Sequence, residues 1–472
     1  MPTSPPNFAL RRATAALAAL LVVGGGLGFL LSLGNDDSPD SDTAGTGIEA
    51  SAAWDVVVLD DPVAGVVTVH DTEGAELARV STQLQGVLDV GLPGSVVLGV
   101  AGDPAADGLE VLDLTTAAIT PIDVRLPVVE RLGTSSYLLA SDQSTGAVEV
   151  VDVARRRVID LTALAGDGAV VAPDTVRVTD DASRLAFSEL RNGQTVVVDL
   201  TATNDPPATV VLPGLLADLT DTRVATTTNR GATMLVDLYD AAGARLGTTE
   251  TAPLVGVMVV GDTTMVGVAT DASLLRIDAA AATADASDDL QQRVRELVGD
   301  SASPAAVRGA QVVLEHRRLA VVGAGWSAFI DTDGTVVSAS ALDVVSTVID
   351  AVSSTQRCVL VYGSPTEPST LFDATDGAVV ATFDPSVPIG GSVDGCTIAR
   401  QGFGTLPGSW RGYRVVGPDL DVAPTQRVVA LAPDGTAALV SGGGMSLLWF
   451  DTDATVPLTA TPTLGAFARL AP

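Results

Sequence analysis

The residues able to do chemistry are few and widely spaced. The chain holds two histidines, His70 and His316, and two cysteines, Cys358 and Cys396. These give no zinc-ligand spacing and no H-E-x-x-H helix, and they leave few ways to assemble a Ser-His-Asp triad. His70 lies in VTVHD beside a turn and His316 in LEHRRL, so each reads as a strand or surface histidine. Carboxylates are abundant instead. Asp331-Thr332-Asp333-Gly334 and Asp373 to Gly377 (DATDG) cluster acids as a calcium loop does, but neither has the third acid and later Glu that such a loop needs. GAGW at Gly323 and GGGM at Gly442 lie between strands with no helix following, which removes the donor set that cradles phosphate. No catalytic, cofactor-binding or metal-binding residue is assigned, and no cofactor is expected.

The cysteines are an even pair in a chain expected to be exported, which makes Cys358–Cys396 a disulfide candidate. Each opens the first strand of its repeat unit, in TQRCVLV and VDGCTIA. Facing sheets lie about 10 Å apart, whereas a disulfide needs Cα atoms within about 7 Å. Two buried free thiols are therefore the alternative.

The elements that position these residues are written in the composition. The chain of 472 residues carries 57 acids against 26 bases, every base an arginine, for a formal charge of −31. Such a surface repels nucleic acid, so no nucleic-acid partner is expected. Abundant Val with few aromatics favours strands, and Asp with 47 Gly and 26 Pro is turn chemistry.

Residues 13–33 (ATAALAALLVVGGGLGFLLSL) contain no charge, follow Arg11-Arg12 and precede Asp36, Asp37, Asp40 and Asp42. As a helix the segment would be about 31 Å long, close to the hydrocarbon thickness. Base before and acid after place residues 1–12 in the cytoplasm, the membrane anchor at 13–33, an acidic stalk at 34–53 and everything beyond outside the cell. A cleaved signal peptide is the competing reading.

From Trp54 onward one unit recurs. Strands ending in apolar-Asp close at Asp71, Asp113, Asp152, Asp199, Asp237, Asp278, Asp331, Asp373 and Asp451, with a degenerate unit at Gly412 to Asp419. The mean period is about 42 residues, counting two intervals between the last pair. Turns such as DTEG, DTDG and DATDG follow these strands. Other turns precede the units: TDDASRLAFS from Thr179, SVDGCTIAR from Ser392 and APDGTAALVS from Ala432. A strand-turn-strand-turn-strand unit cannot bury its own faces, and radial stacking solves that.

On these residues, over 54–467, the chain resembles the β-propeller repeat proteins of bacterial envelopes, the WD40-like, YVTN-like and quinoprotein-like kind. The resemblance implies an all-β propeller, either one ring of about 7–10 blades or two smaller rings, with a subdivision near 283–300 as an option. The WD and GH pairs of WD40 repeats are absent, as are the adjacent cysteines and tryptophan docking repeats of quinoprotein dehydrogenases. One helix is expected at 288–298, with Leu290, Val294, Leu297 and Val298 on one face. The functional expectation is a non-catalytic binding or scaffold module outside the cell, with an exoplasmic protein or cell-wall polymer as partner. A glycosidase- or lactonase-like enzyme working through Asp carboxylates is the alternative.

Overall fold

Strands buried on both faces need unbroken apolar runs, whereas strands at a rim alternate. Both patterns recur throughout the computed structural model. It describes residues 53–472 except 101–107, 133–134, 143, 202–205, 299–306, 314–316, 343–347, 351–356, 363–366, 393–395, 404–410, 418–419, 424, 460–463 and 472. The expected anchor at 13–33, the stalk at 34–52, His316 and Asp419 lie outside the described residues. Among the described residues no helix is long and apolar enough to cross a membrane.

The described strands form ten four-stranded antiparallel sheets. Nine are contiguous in sequence: blade 2 (87–122), blade 3 (128–160), blade 4 (177–213), blade 5 (215–251), blade 6 (254–287), blade 7 (307–341), blade 8 (348–383), blade 9 (387–422) and blade 10 (427–459). Blade 1 is composite. Its second, third and fourth strands are Val56–Asp61, Val66–Asp71 and Glu76–Ser81, and its first is Leu464–Ala468 from the far end of the chain. First strands of adjacent blades lie side by side, those of blades 5, 6 and 7 in succession and that of blade 1 between those of blades 10 and 2. They therefore line the axis, and the fourth strands form the rim.

Val56–Leu59 in a second strand is wholly buried, whereas the fourth strand Glu76–Ser81 is largely exposed. Each pair of neighbouring sheets shares an apolar layer. Tyr137, Leu139 and Val150 meet Leu185, Phe187 and Val196 between blades 3 and 4. Phe329 and Phe372 lie 5.6 Å apart between blades 7 and 8, and Trp54 packs between blades 1 and 10. Apolar layers of this kind run through all ten joints, so there is one ring rather than two. The expected helix is present as Asp289–Val298 (α2 below, after a short α1 at Leu161–Ala165). Leu290 and Val294 enter the core shared by blades 6 and 7, so α2 wedges that joint instead of dividing the ring, while Leu297 stays exposed.

The recurrent Asp closes the third strand and caps the corner that follows. Asp71 accepts the N–H of Glu73 and Ala75, Asp113 those of Thr115 and Thr116, and Asp278 those of Ala280 and Ala281. Two assignments shift. In blade 5 the corner residue is Asp240, which accepts from Ala242 and Ala244, while Asp237 lies mid-strand, paired with Arg245 and Thr248. In blade 10 Trp449 occupies the corner, where it stacks on Trp54, and Asp451 falls two residues beyond.

Candidate functional site

Six of the first strands carry a register shift near their start. In blade 5 the shift between Leu216 and Asp218 turns an acid into the joint with blade 6. Asp218 is buried and accepts three bonds: from its neighbour Leu219 N (2.9 Å), from Val259 N at the end of blade 6's first strand (2.7 Å), and from Arg317 Nη2 in a blade 7 turn (2.6 Å). The same Nη2 donates to Val259 O (2.7 Å). Arg317 holds φ +46°, a costly left-handed conformation for a side chain of this size. One carboxylate and one guanidinium thus tie three blades together where first strands turn into second strands.

Burial pushes the Asp218 carboxyl upward against the pull of Arg317 and Val259 N–H. Nearby, burial and the Asp221 charge raise Asp180, and Arg317 opposes them. Asp181 is the opposite case. The N–H of Ser183 and the Thr179 hydroxyl hold it down at about 2. A second acid–arginine pair joins first strands across blades 2 and 3, Asp89 to Arg131 at 3.6 Å. Arg131 lies directly over Gly91, where a Cβ would sit 2.1 Å from the guanidinium nitrogen. That close approach, together with φ +65°, requires glycine.

Four carboxylates, Asp180, Asp181, Asp218 and Asp221, and Arg317 therefore interact across blades 4, 5 and 7, with no aromatic residue among them. Asp218 is enclosed, and two of its three accepted bonds tie blade 5 to blades 6 and 7.

The residues singled out from sequence are dispersed. His70 is buried, with Nε2 3.0 Å from Thr68 Oγ1 and Nδ1 3.2 Å from Gly74 O. Gly323 of GAGW opens a hairpin against Trp326, and Gly442 N bonds Gly444 O in another. Asp331 and Asp373 are corner caps. Among the described residues no three His, Cys, Asp or Glu side chains are grouped to hold a metal. A shallow depression on the outward side of α2 is lined by Asp289, Gln292, Arg293 and Glu296.

Cys358 and Cys396 are joined, Cα atoms 4.9 Å apart. They stand at second strands, not first: Cys358 opens that strand in blade 8, and Cys396 lies in the turn two residues before Ile398 in blade 9. A residue off the sheet can cross the gap that separates two sheet faces.

The architecture defines a ten-bladed β-propeller. The chain matches no known protein family and no curated protein. Among solved structures it is similar to the dihydro-haem d1 dehydrogenase NirN (12% identity, 72% of this chain and 74% of that one, TM-score 0.38). It is also similar to the β-propeller domain of Cps50 (Swd1) from Myceliophteria thermophila (14%, 57% and 91%, TM-score 0.35). A third likeness is a functionally unknown protein from Desulfotomaculum acetoxidans (12%, 71% and 99%, TM-score 0.38). At these TM-scores the likenesses carry no argument about what this chain does.

Proposed function

We propose that this chain is a membrane-anchored propeller displayed outside the cell as a non-catalytic binding or scaffold module. The observation that carries the reading is the Asp218–Val259–Arg317 set, in which a buried first-strand carboxylate and an arginine are consumed in joining blades. A rigid ring of this kind suits presenting loops to an exoplasmic protein or a cell-wall polymer. The charge-free segment 13–33, with Arg11-Arg12 before it and aspartates after it, supports the anchor and its orientation.

The test has two arms. Cell fractionation with protease added outside should find the propeller in the membrane fraction and cut it there, and deletion of residues 1–33 should release it. Loss of neither location nor topology on that deletion would remove the anchor. In the second arm, a panel of glycosides and lactones should show no turnover above buffer. Turnover abolished by Asp180→Asn would instead favour hydrolysis through the aspartates of blades 4 and 5.

A further inference from the structure

We infer that the joint between blades 8 and 9 is a redox latch, in which the Cys358–Cys396 bond holds shut an interface that a buried, half-satisfied arginine strains open. Arg400 lies in the second strand of blade 9, Ile398–Phe403, and is 0% exposed. Its Nη2 donates to Ser369 Oγ (2.9 Å) and Ser386 O (3.2 Å), and its guanidinium carbon lies 4.8 Å from the Phe383 ring centroid. Among the described residues Nε and Nη1 have no hydrogen-bond partner. The acid whose field reaches it, Asp384, is exposed and forms no ion pair with it. A guanidinium buried with two nitrogens unbonded has lost hydration it does not recover.

Among the described residues the buried apolar layer at this joint comprises Cys358, Leu360, Leu371, Ile398 and Val416, flanked by Phe383 and Cys396, so half of the disulfide is itself part of the core. Strand register separates the two opposing features. Cys358 pairs with Asp373 at one end of blade 8, and Ser369, which Arg400 grips, pairs with Tyr362 at the other. The covalent bond therefore clamps one end of the joint while the unpaired charge loads the other.

Opening needs a dithiol reductant. One thiolate attacks a cystine sulfur to form a mixed disulfide, and the second thiol displaces the protein. The two thiol protons pass to Cys358 and Cys396 as the dithiol closes to its own disulfide. Arg400 then gains access to water.

Hydrogen exchange of the full chain with and without dithiothreitol tests the latch, and it does so whether or not the chain is anchored. Reduction should lower protection at least tenfold in Ser369–Asp373 and Ile398–Phe403 while Arg184–Glu189 and Gln194–Asp199 in blade 4 stay unchanged. Arg400→Leu, or Arg400→Met if the first variant does not fold, should keep the joint protected after reduction. Three results would overturn the inference: unchanged protection after reduction verified by alkylation, equal loss in every blade, or a reduced Arg400 variant that opens as readily as the parent. Two freely alkylated thiols in the untreated protein would do the same.

Discussion

Trp54 stacks on Trp449 with ring centroids 5.2 Å apart, although one residue precedes the second strand of blade 1 and the other closes the third strand of blade 10. Phe467 meets the opposite side of Trp54 edge-on at 4.7 Å. The indole N–H reaches Asp434 Oδ1 (3.2 Å) and Thr436 Oγ1 (3.4 Å) in the turn that begins APDG. The backbone adds Leu470 N to Asp55 Oδ1 (2.7 Å). Aromatic packing, a side-chain cap and strand pairing therefore close the ring at a single joint.

Trp54→Ala should cost about 3–5 kcal/mol in chemical denaturation, the range for a buried aromatic in a tight core. Trp54→Phe should recover most of that loss, leaving about 1 kcal/mol for the indole hydrogen bonds. A cost under about 1 kcal/mol for the alanine variant would mean that closure depends on strand pairing alone.

The Asp218–Arg317 pair should behave asymmetrically. Arg317→Ala leaves a buried carboxylate without its counter-charge and should cost about 3–5 kcal/mol. Asp218→Asn leaves a guanidinium whose side chain is 25% exposed and able to hydrate, so the loss should be smaller. A double-mutant cycle measures the coupling, and equal single-variant costs would contradict the geometry.

The corners offer a paired test. Ala282 occupies the left-handed position of its turn at φ +56° and is exposed, so Ala282→Gly should stabilise the fold by about 1 kcal/mol. Gly74 holds the same conformation at φ +88°, and a Cβ there would lie 2.9 Å from Val456 and 3.1 Å from the Pro457 carbonyl. Gly74→Ala should therefore destabilise by more than the conformational strain alone, as read from the shift in thermal midpoint.

Acid should weaken the fold through its turns. Backbone N–H of Thr116 holds Asp113 low, the Ser144 hydroxyl and N–H hold Asp142 low, and Asp181 sits at about 2. Each binds protons more weakly folded than unfolded. Their stabilisation is complete above the unfolded range near 4 and is lost as pH falls toward 2. Asp60 runs the other way: burial raises it, Gly86 N–H only partly offsets this, and Oδ1 has no partner among the described residues. Asp60→Asn should raise the midpoint at pH 7, with the gain vanishing as the parent carboxyl protonates. Urea melts from pH 2 to 8 check both signs.

The repeat was legible because the same turn chemistry serves most corners, where an Asp that caps the following N–H groups marks the strand end. Asp237 misled because blade 5 has an acid inside its third strand three residues before the true corner, and both fit apolar-Asp. Blade 9 lost the signal where Val416 replaces the Asp. The Asp218 and Arg400 sites were legible only as oddities, a charge inside LLADL and another inside IARQGF. Their partners lie in other blades, at Val259, Arg317, Ser369 and Ser386, and no local spacing links them.

Blade 1 borrows its innermost strand from the end of the chain, and this sets an order of assembly. During synthesis blades 2 to 10 can each complete from contiguous hairpins, while Val56–Asp61 emerges early with one edge unpaired. That edge stays available until Leu464–Ala468 arrives. At high local density the same five-residue strand of a second copy offers an identical fit, so exchange of that strand is the natural route to a linked dimer.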